Sequence, residues 1–259
     1  MLIRTLTLFV STCLAGTTLF AADASFVGKW KLNLDKSKIT GVQRSIEDLG
    51  GDKFKFTFGD DTETIAIDGK EYPAKIGGTW SIKKEGPNSW KSVRSRDGKV
   101  VSTAIWTVSE DGKTLTQTTE GTRVDGSTFK TVLKSKRIAG TSGLAGTWES
   151  TDVNTNSVVP FEIAAYEGDG LSFISSAGQR RLDLKFDGKD YPDKGPRVTE
   201  GATASGKRID QRAIEVSNKV KGKLLNTERM EVSADGKTLT TTTSFPGVAK
   251  SQTFVYERQ

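Results

Sequence analysis

The chain repeats itself, and the repeat fixes the size and number of the units it can build. Asp68-Gly69-Lys70-Glu71-Tyr72-Pro73 returns as Asp187-Gly188-Lys189-Asp190-Tyr191-Pro192. Ser109 to Thr119 (SEDGKTLTQTT) returns as Ser233 to Thr243 (SADGKTLTTTT), nine identities in eleven, and Gly28-Lys29-Trp30 returns as Gly146-Thr147-Trp148. The matches keep their order, at offsets of 118 residues for Gly-x-Trp, 119 for the hairpin and 124 for the last segment. Tandem duplication explains this, with five extra residues in the second copy between Pro192 and Ile214. Copies of roughly 115 residues are domains rather than solenoid units. The expected units are residues 26–138 and 144–259, with Ala139-Gly140-Thr141-Ser142-Gly143 as the linker between them.

Within each copy the apolar period is two, the period of a half-buried strand. Lys53-Phe54-Lys55-Phe56-Thr57-Phe58 puts three phenylalanines on one face. Trp80 and Ile82 alternate with Ser81 and Lys83, while Ala104, Trp106 and Val108 share a face, as do their counterparts Glu228, Met230 and Val232. Asp-Gly, the strongest short hairpin signal, begins at residues 68, 97, 111, 125, 169, 187 and 235. Strands joined by such turns, without a long amphipathic helix, imply an all-β fold. A meander of this length removes its exposed edges by closing, so each copy is expected to be an antiparallel β-barrel.

The sequence contains no histidine. That excludes Ser-His-Asp and Cys-His nucleophile pairs, His-ligated zinc or haem, and an imidazole switch. The one cysteine, Cys13, lies in a stretch that reads as an export signal: Arg4, then a mostly apolar run from Thr5 to Phe20, then small residues for cleavage around Ala21-Ala22. Signal peptide 1–22 implies a periplasmic or secreted protein. Lipid anchoring at Cys13 fits poorly, because Thr12 precedes it and the apolar run continues past it. No later stretch approaches the roughly 18 apolar residues of a transmembrane helix.

Phe26-Val27-Gly28-Lys29-Trp30-Lys31-Leu32 resembles the opening of the calycin superfamily, the lipocalins and fatty-acid-binding proteins. In that superfamily the Trp closes one end of the barrel beneath an Arg from the last strand. The resemblance therefore gives Trp30, Arg137, Trp148 and Arg258 a barrel-closing role, each Arg ending the copy that its Trp opens. Phe254-Val255-Tyr256-Glu257-Arg258 is similar to the last strand of fatty-acid-binding proteins. Phe26-x-Gly28-x-Trp30-x-Leu32-Asn33, with Ser37-Lys38 and the Asp-Gly-Lys-x-Tyr-Pro hairpin, resembles a group of secreted bacterial lipocalin-like proteins. The second copy lacks the Leu-Asn and Ser-Lys. Between Leu32 and Gly50 there is no room for the helical lid of fatty-acid-binding proteins, so a lidded lipid cavity is not implied.

Four residues stand out as ligand contacts. Tyr72 and Tyr191 follow a turn and precede a proline, which restricts pairing to an edge or bulge. Each offers a hydroxyl to a ligand or plugs the barrel mouth with its ring. Trp80 and Trp90 are candidates for a flat or apolar ligand, although Trp90 and Trp106 align with Ile214 and Met230 and so also read as core. Asp60-Asp61-x-Glu63 reads as a solvated turn, not a metal site. No spacing singles out a catalytic carboxylate pair, and nothing calls for a cofactor.

With 38 Lys+Arg against 32 Asp+Glu, the chain carries a net +6. The excess is spread over short stretches such as Lys83-Lys84, Arg94-x-Arg96 and Lys134-x-Lys136-Arg137. The leading expectation is a non-catalytic binding protein for a small apolar or amphipathic molecule, held in or at the mouth of a barrel. The alternative is a cell-envelope interaction module whose basic outer face meets a polyanionic polymer or a protein partner. Nucleic acid is not an expected partner of an exported protein, and the sequence leaves oligomeric state open.

Overall fold

A computed structural model describes residues 25–259 apart from 76, 141 and 157. The expected signal segment and Cys13 lie outside the described residues. The chain begins with strand β1 (Gly28–Lys38) and continues through β2 (Gln43–Gly50), β3 (Lys53–Phe58), β4 (Asp61–Ala66), β5 (Tyr72–Pro73) and β6 (Thr79–Gly86). Next come β7 (Ser89–Arg96), β8 (Lys99–Val108), β9 (Thr114–Thr122), β10 (Thr128–Ala139) and β11 (Gly146–Thr155). The second half holds β12 (Phe161–Tyr166), β13 (Gly170–Ser175), β14 (Arg180–Leu184), β15 (Tyr191–Lys194) and β16 (Ala202–Asp210). It ends with β17 (Ala213–Val220), β18 (Lys223–Val232), β19 (Thr238–Ser244) and β20 (Gln252–Arg258). The fold is all-β, in two antiparallel ten-stranded sheets.

The sheets do not coincide with the repeats. The first has the order β4-β3-β2-β11-β10-β9-β8-β7-β6-β5, and the second is a closed barrel in which β1 sits between β20 and β12. Residues 139–143, expected to link two barrels, belong instead to the connection from β10 to β11 within the first sheet, where Arg137 pairs with Trp148. The chain crosses between barrels at 39–42 and 156–160. The first barrel is thus residues 43–155, and the second is 161–258 closed by 28–38.

Loop-closure entropy supplies the reason. A hairpin between consecutive strands is the cheapest pairing available, so β11 folds back on β10. The second barrel is then one strand short, and β1, which carries the same Gly-x-Trp motif, fills the gap. Asn33 and Ser37 fasten β1 there. Asn33 Nδ2 donates to Glu257 Oε1 at 3.0 Å, and Val255 N–H donates to Ser37 Oγ at 3.0 Å across a register shift.

The first sheet nearly closes as well. Just beyond its β4 edge, an isolated bridge joins Asp68 to Lys83 on β6, past the two-residue strand β5, and Gly69 N–H donates to Ile82 O at 2.9 Å.

Turn chemistry follows the Asp-Gly pairs in two ways. Asp97 and Gly98 are both left-handed (φ 50° and 71°), which makes the mirror-image hairpin turn that matches strand twist. In Asp68, Asp111, Asp125, Asp187 and Asp235 the carboxylate accepts the N–H of the residue two places on. Each barrel has its own core. Ile46, Ile82, Trp90, Trp106, Leu115 and Trp148 are buried in the first, and Trp30, Ile163, Leu171, Leu184, Ile214 and Leu239 in the second.

The barrels interlock closely at the β3–β4 turn. Asp60 N–H donates to Pro246 O at 3.1 Å, and the Phe58 and Phe245 rings meet edge-on at 5.2 Å. Gly59 (φ 55°) and Gly247 (φ 70°) allow this approach: a Cβ on Gly59 would lie 2.1 Å from Pro246 O.

Candidate functional site

Each barrel carries an Arg–Trp stack, but the partners are crossed. Arg258 lies 4.2 Å from the Trp30 ring centroid, and Arg137 lies 4.0 Å from that of Trp148. The within-copy pairing expected from the sequence is corrected by the phase shift of the strands. Both guanidinium groups are fixed alike. Arg137 Nε donates to Gly112 O at 2.6 Å, and its terminal nitrogens donate to Ala145 O and Gly143 O. Arg258 makes the matching bonds to Gly236 O, Val27 O and Ser25 O. Each indole N–H donates to the carbonyl four residues before it, Phe26 for Trp30 and Leu144 for Trp148. Each guanidinium nitrogen and each indole N–H is thus held by a backbone carbonyl.

Inside the first barrel lies a cavity of about 660 Å³. Its apolar wall is Phe56, Trp80, Ala104 and Trp106, with the Phe56 ring edge-on to Trp80 at 4.9 Å and to Trp106 at 5.8 Å. The second barrel contributes Gln252 and Phe254, and the crossing segment contributes Ile39.

Alternation places polar groups in this cavity too. On β4, Asp61, Glu63 and Ile65 share a face, so the acidic stretch expected to be a solvated turn sends Glu63 inward against Arg94 (3.7 Å). Asp61 pairs with Lys75 at 3.2 Å and Lys223 at 3.4 Å. Arg94 also lies 4.3 Å from the Trp80 ring centroid, and its Nη1 is buried without a hydrogen-bond partner. Arg44 Nη1 donates to Gln117 Oε1 at 3.0 Å, and its guanidinium carbon is 5.6 Å from the Trp106 centroid. Burial lowers the Arg44 pKa to about 10 and shifts Arg94 in the same direction.

Of the four ligand candidates from the sequence, Trp80 lines this cavity. Trp90 is buried in the core, opposite Trp106 in register, and borders a separate opening near Leu144. Tyr72 and Tyr191 line neither cavity: each ring packs against the core of its barrel, and each hydroxyl donates at 3.1 Å to the Asp of its own hairpin, Asp68 or Asp187. Burial and these carboxylates raise both phenol pKa values. Trp80, which had no evident sequence counterpart, is matched by Ala204, since Tyr72 pairs with Trp80 and Tyr191 with Ala204. Sequence reasoning passed over Arg44, Arg94 and Trp106. The available signal for Arg44 was its inward spacing from Ile46.

No family model and no curated protein matches this chain.

The second barrel holds a smaller cavity of about 340 Å³, walled by Phe161, Phe173, Met230, Phe254 and Tyr256. Glu228 lies in it, its pKa raised by burial against the opposing pull of Arg180. Burial, and then Glu228, raises the Tyr256 phenol as well. On the outer faces, strand lysines meet carboxylates across the sheet, as in Lys130–Glu120 at 2.8 Å and Lys136–Glu149 at 3.0 Å. Among the described residues, no three His, Cys, Asp or Glu side chains cluster as metal ligands, and no helix is long and apolar enough to cross a membrane.

Proposed function

We propose that the protein is an exported, non-catalytic binding protein of the lipocalin-like kind, holding a small amphipathic molecule inside its first barrel. The observation that carries this reading is the cavity of about 660 Å³, in the size range of small-molecule sites, with an aromatic wall and a few convergent polar groups. Its position also supports the reading. Every nitrogen of Arg137 in the Arg–Trp stack is committed to backbone carbonyls, while the cavity reaches Ile39, Gln252 and Phe254 at the junction with the second barrel. Trp80 and Trp106 give apolar contact area, and Ser92 Oγ, which accepts the Trp106 indole N–H at 3.2 Å, fixes one ring in place.

Native mass spectrometry on protein purified gently from its own envelope tests the reading. A discrete additional mass, lost after organic extraction and replaced on adding the neutral fluorophore N-phenyl-1-naphthylamine, is expected. A bare mass that accepts no probe would overturn it.

A further inference from the structure

Resting on that reading, we infer that the first barrel is built for an organic anion, whose acidic group is held between Arg44 and Arg94, and that the second barrel lacks this site. Two arginines and two carboxylates line the cavity, but the pairing leaves one arginine over, because Asp61 is claimed by lysines outside the lining. Asp61 is answered by Lys75 and Lys223, and Glu63 by Arg94. Arg44 has no carboxylate within ion-pair reach among the described residues, and its guanidinium donates instead to the neutral Gln117. An interior cation without a counter-ion is costly, which makes a bound anion the natural complement.

The two guanidinium groups are also prepared to bind. Arg44 is backed by Trp106 and Arg94 by Trp80. An indole beside a guanidinium holds its plane while leaving the in-plane N–H groups directed outward, the geometry that forks onto an oxyanion. Arg94 Nη1 is such a donor, buried and without a hydrogen-bond partner.

Comparison of the two copies separates a binding role from a folding role. Trp148 pairs with Arg44 where Trp30 pairs with Phe161. Ser102 pairs with Arg94 where Asn226 pairs with Asn218, and Phe56 pairs with Glu63 where Phe173 pairs with Leu182. All three charges are thus replaced together in the second copy, which forms the same barrel without them. Asn218 there simply donates to Asn226 Oδ1 at 2.7 Å. The fold does not need the cluster, so a ligand accounts for it.

Two probes with one skeleton test this in the full chain. 8-Anilinonaphthalene-1-sulfonate is anionic and N-phenyl-1-naphthylamine is its uncharged relative; each is titrated and read by emission excited through tryptophan. The sulfonate is expected to bind at one site per chain and at least roughly tenfold more tightly than the neutral probe. Arg44→Met is expected to reduce that preference by roughly tenfold. Equal affinities in the wild type, or a stronger neutral probe, would overturn the anion site while leaving the carrier reading intact. Failure of both probes would overturn both. The wild-type comparison needs no variant, so a poorly folding Arg44→Met leaves the test in force. A preference unchanged in a folded Arg44→Met would overturn the role of Arg44.

Discussion

Arg258 and Trp30, at opposite ends of the chain, form one stack: the guanidinium carbon stands 4.2 Å from the indole centroid, and its nitrogens hold the carbonyls of Ser25 and Val27. The pair therefore joins the first strand to the last. Gly28 (φ 149°) leaves room for it, since a Cβ there would lie 2.4 Å from an Arg258 terminal nitrogen. A double-mutant cycle read by urea unfolding should show coupling of about 1–2 kcal/mol between Trp30→Phe and Arg258→Lys. The combination of Trp30→Phe with Arg137→Lys should be additive. Coupling to Arg137 instead would mean that the strands follow the repeats.

The phase shift also predicts which fragment folds. Residues 40–156 contain every strand of the first barrel, whereas 144–259 carry β11 in place of the β1 that closes the second. The 40–156 fragment should unfold cooperatively with near-native strand content by circular dichroism. The 26–143 fragment, cut at the repeat boundary, lacks β11 and should be much less stable, because loss of β11 leaves one edge of β2 and one edge of β10 unpaired and removes Trp148.

Gly59→Ala and Gly247→Ala address the junction of the barrels. Each residue is left-handed, and each added Cβ would lie 2.1 Å from an atom of the other barrel, Pro246 O or Asp60 Oδ1. Strain of this kind costs about 1–3 kcal/mol. Both variants should lower the thermal midpoint and increase hydrogen exchange at Asp60 N–H, the donor to Pro246 O. An unchanged exchange rate would sink the interlock.

Glu149 ties three elements, accepting from Gln43 Nε2 at 3.0 Å and pairing with Lys136 and Lys250. Those partners hold its carboxyl at about 2, against an ordinary 4.5. With a folded pKa below the unfolded one, its contribution is present above pH 4.5 and is lost as pH falls towards 2. Glu149→Gln should therefore be less stable than wild type at neutral pH, with the gap closing as pH approaches 2. A gap independent of pH would contradict this.

Glu228 has the opposite sign. Burial raises its pKa, so its contribution is present at low pH and declines as pH rises through the raised folded value. Glu228→Gln should stabilise the protein at neutral and alkaline pH and confer no advantage in mild acid, as measured by thermal unfolding across pH.

The alternation in Lys53–Phe58 and the Asp-Gly pairs expressed the all-β architecture directly, because pleat and turn preferences are local properties of a few residues. Site residues were less legible. Trp80 was visible as an aromatic near a hairpin, but Tyr72 and Tyr191 are engaged with their own turn aspartates, a contact between residues four apart that the spacing alone did not single out. Arg94 read as one of several short basic stretches, and nothing in the sequence singled out Arg44. Whether an arginine faces solvent or a barrel interior depends on register, and a shift of one residue reverses it.

By itself the sequence determined that two similar antiparallel sheets would form, and that each would contain a Gly-x-Trp strand and a terminal arginine to stack on it. Tertiary structure decided which strand joined which sheet. Each Gly-x-Trp strand offers its arginine carbonyls at matching positions, so local chemistry does not distinguish the two. The choice comes from the short β10–β11 connection, which brings β11 back to β10 and leaves the second barrel to be closed by β1. Tertiary structure likewise turned Arg44 and Arg94 into one cavity with Trp80 and Trp106, because only the curling of the whole sheet brings β2, β6, β7 and β8 around a common interior.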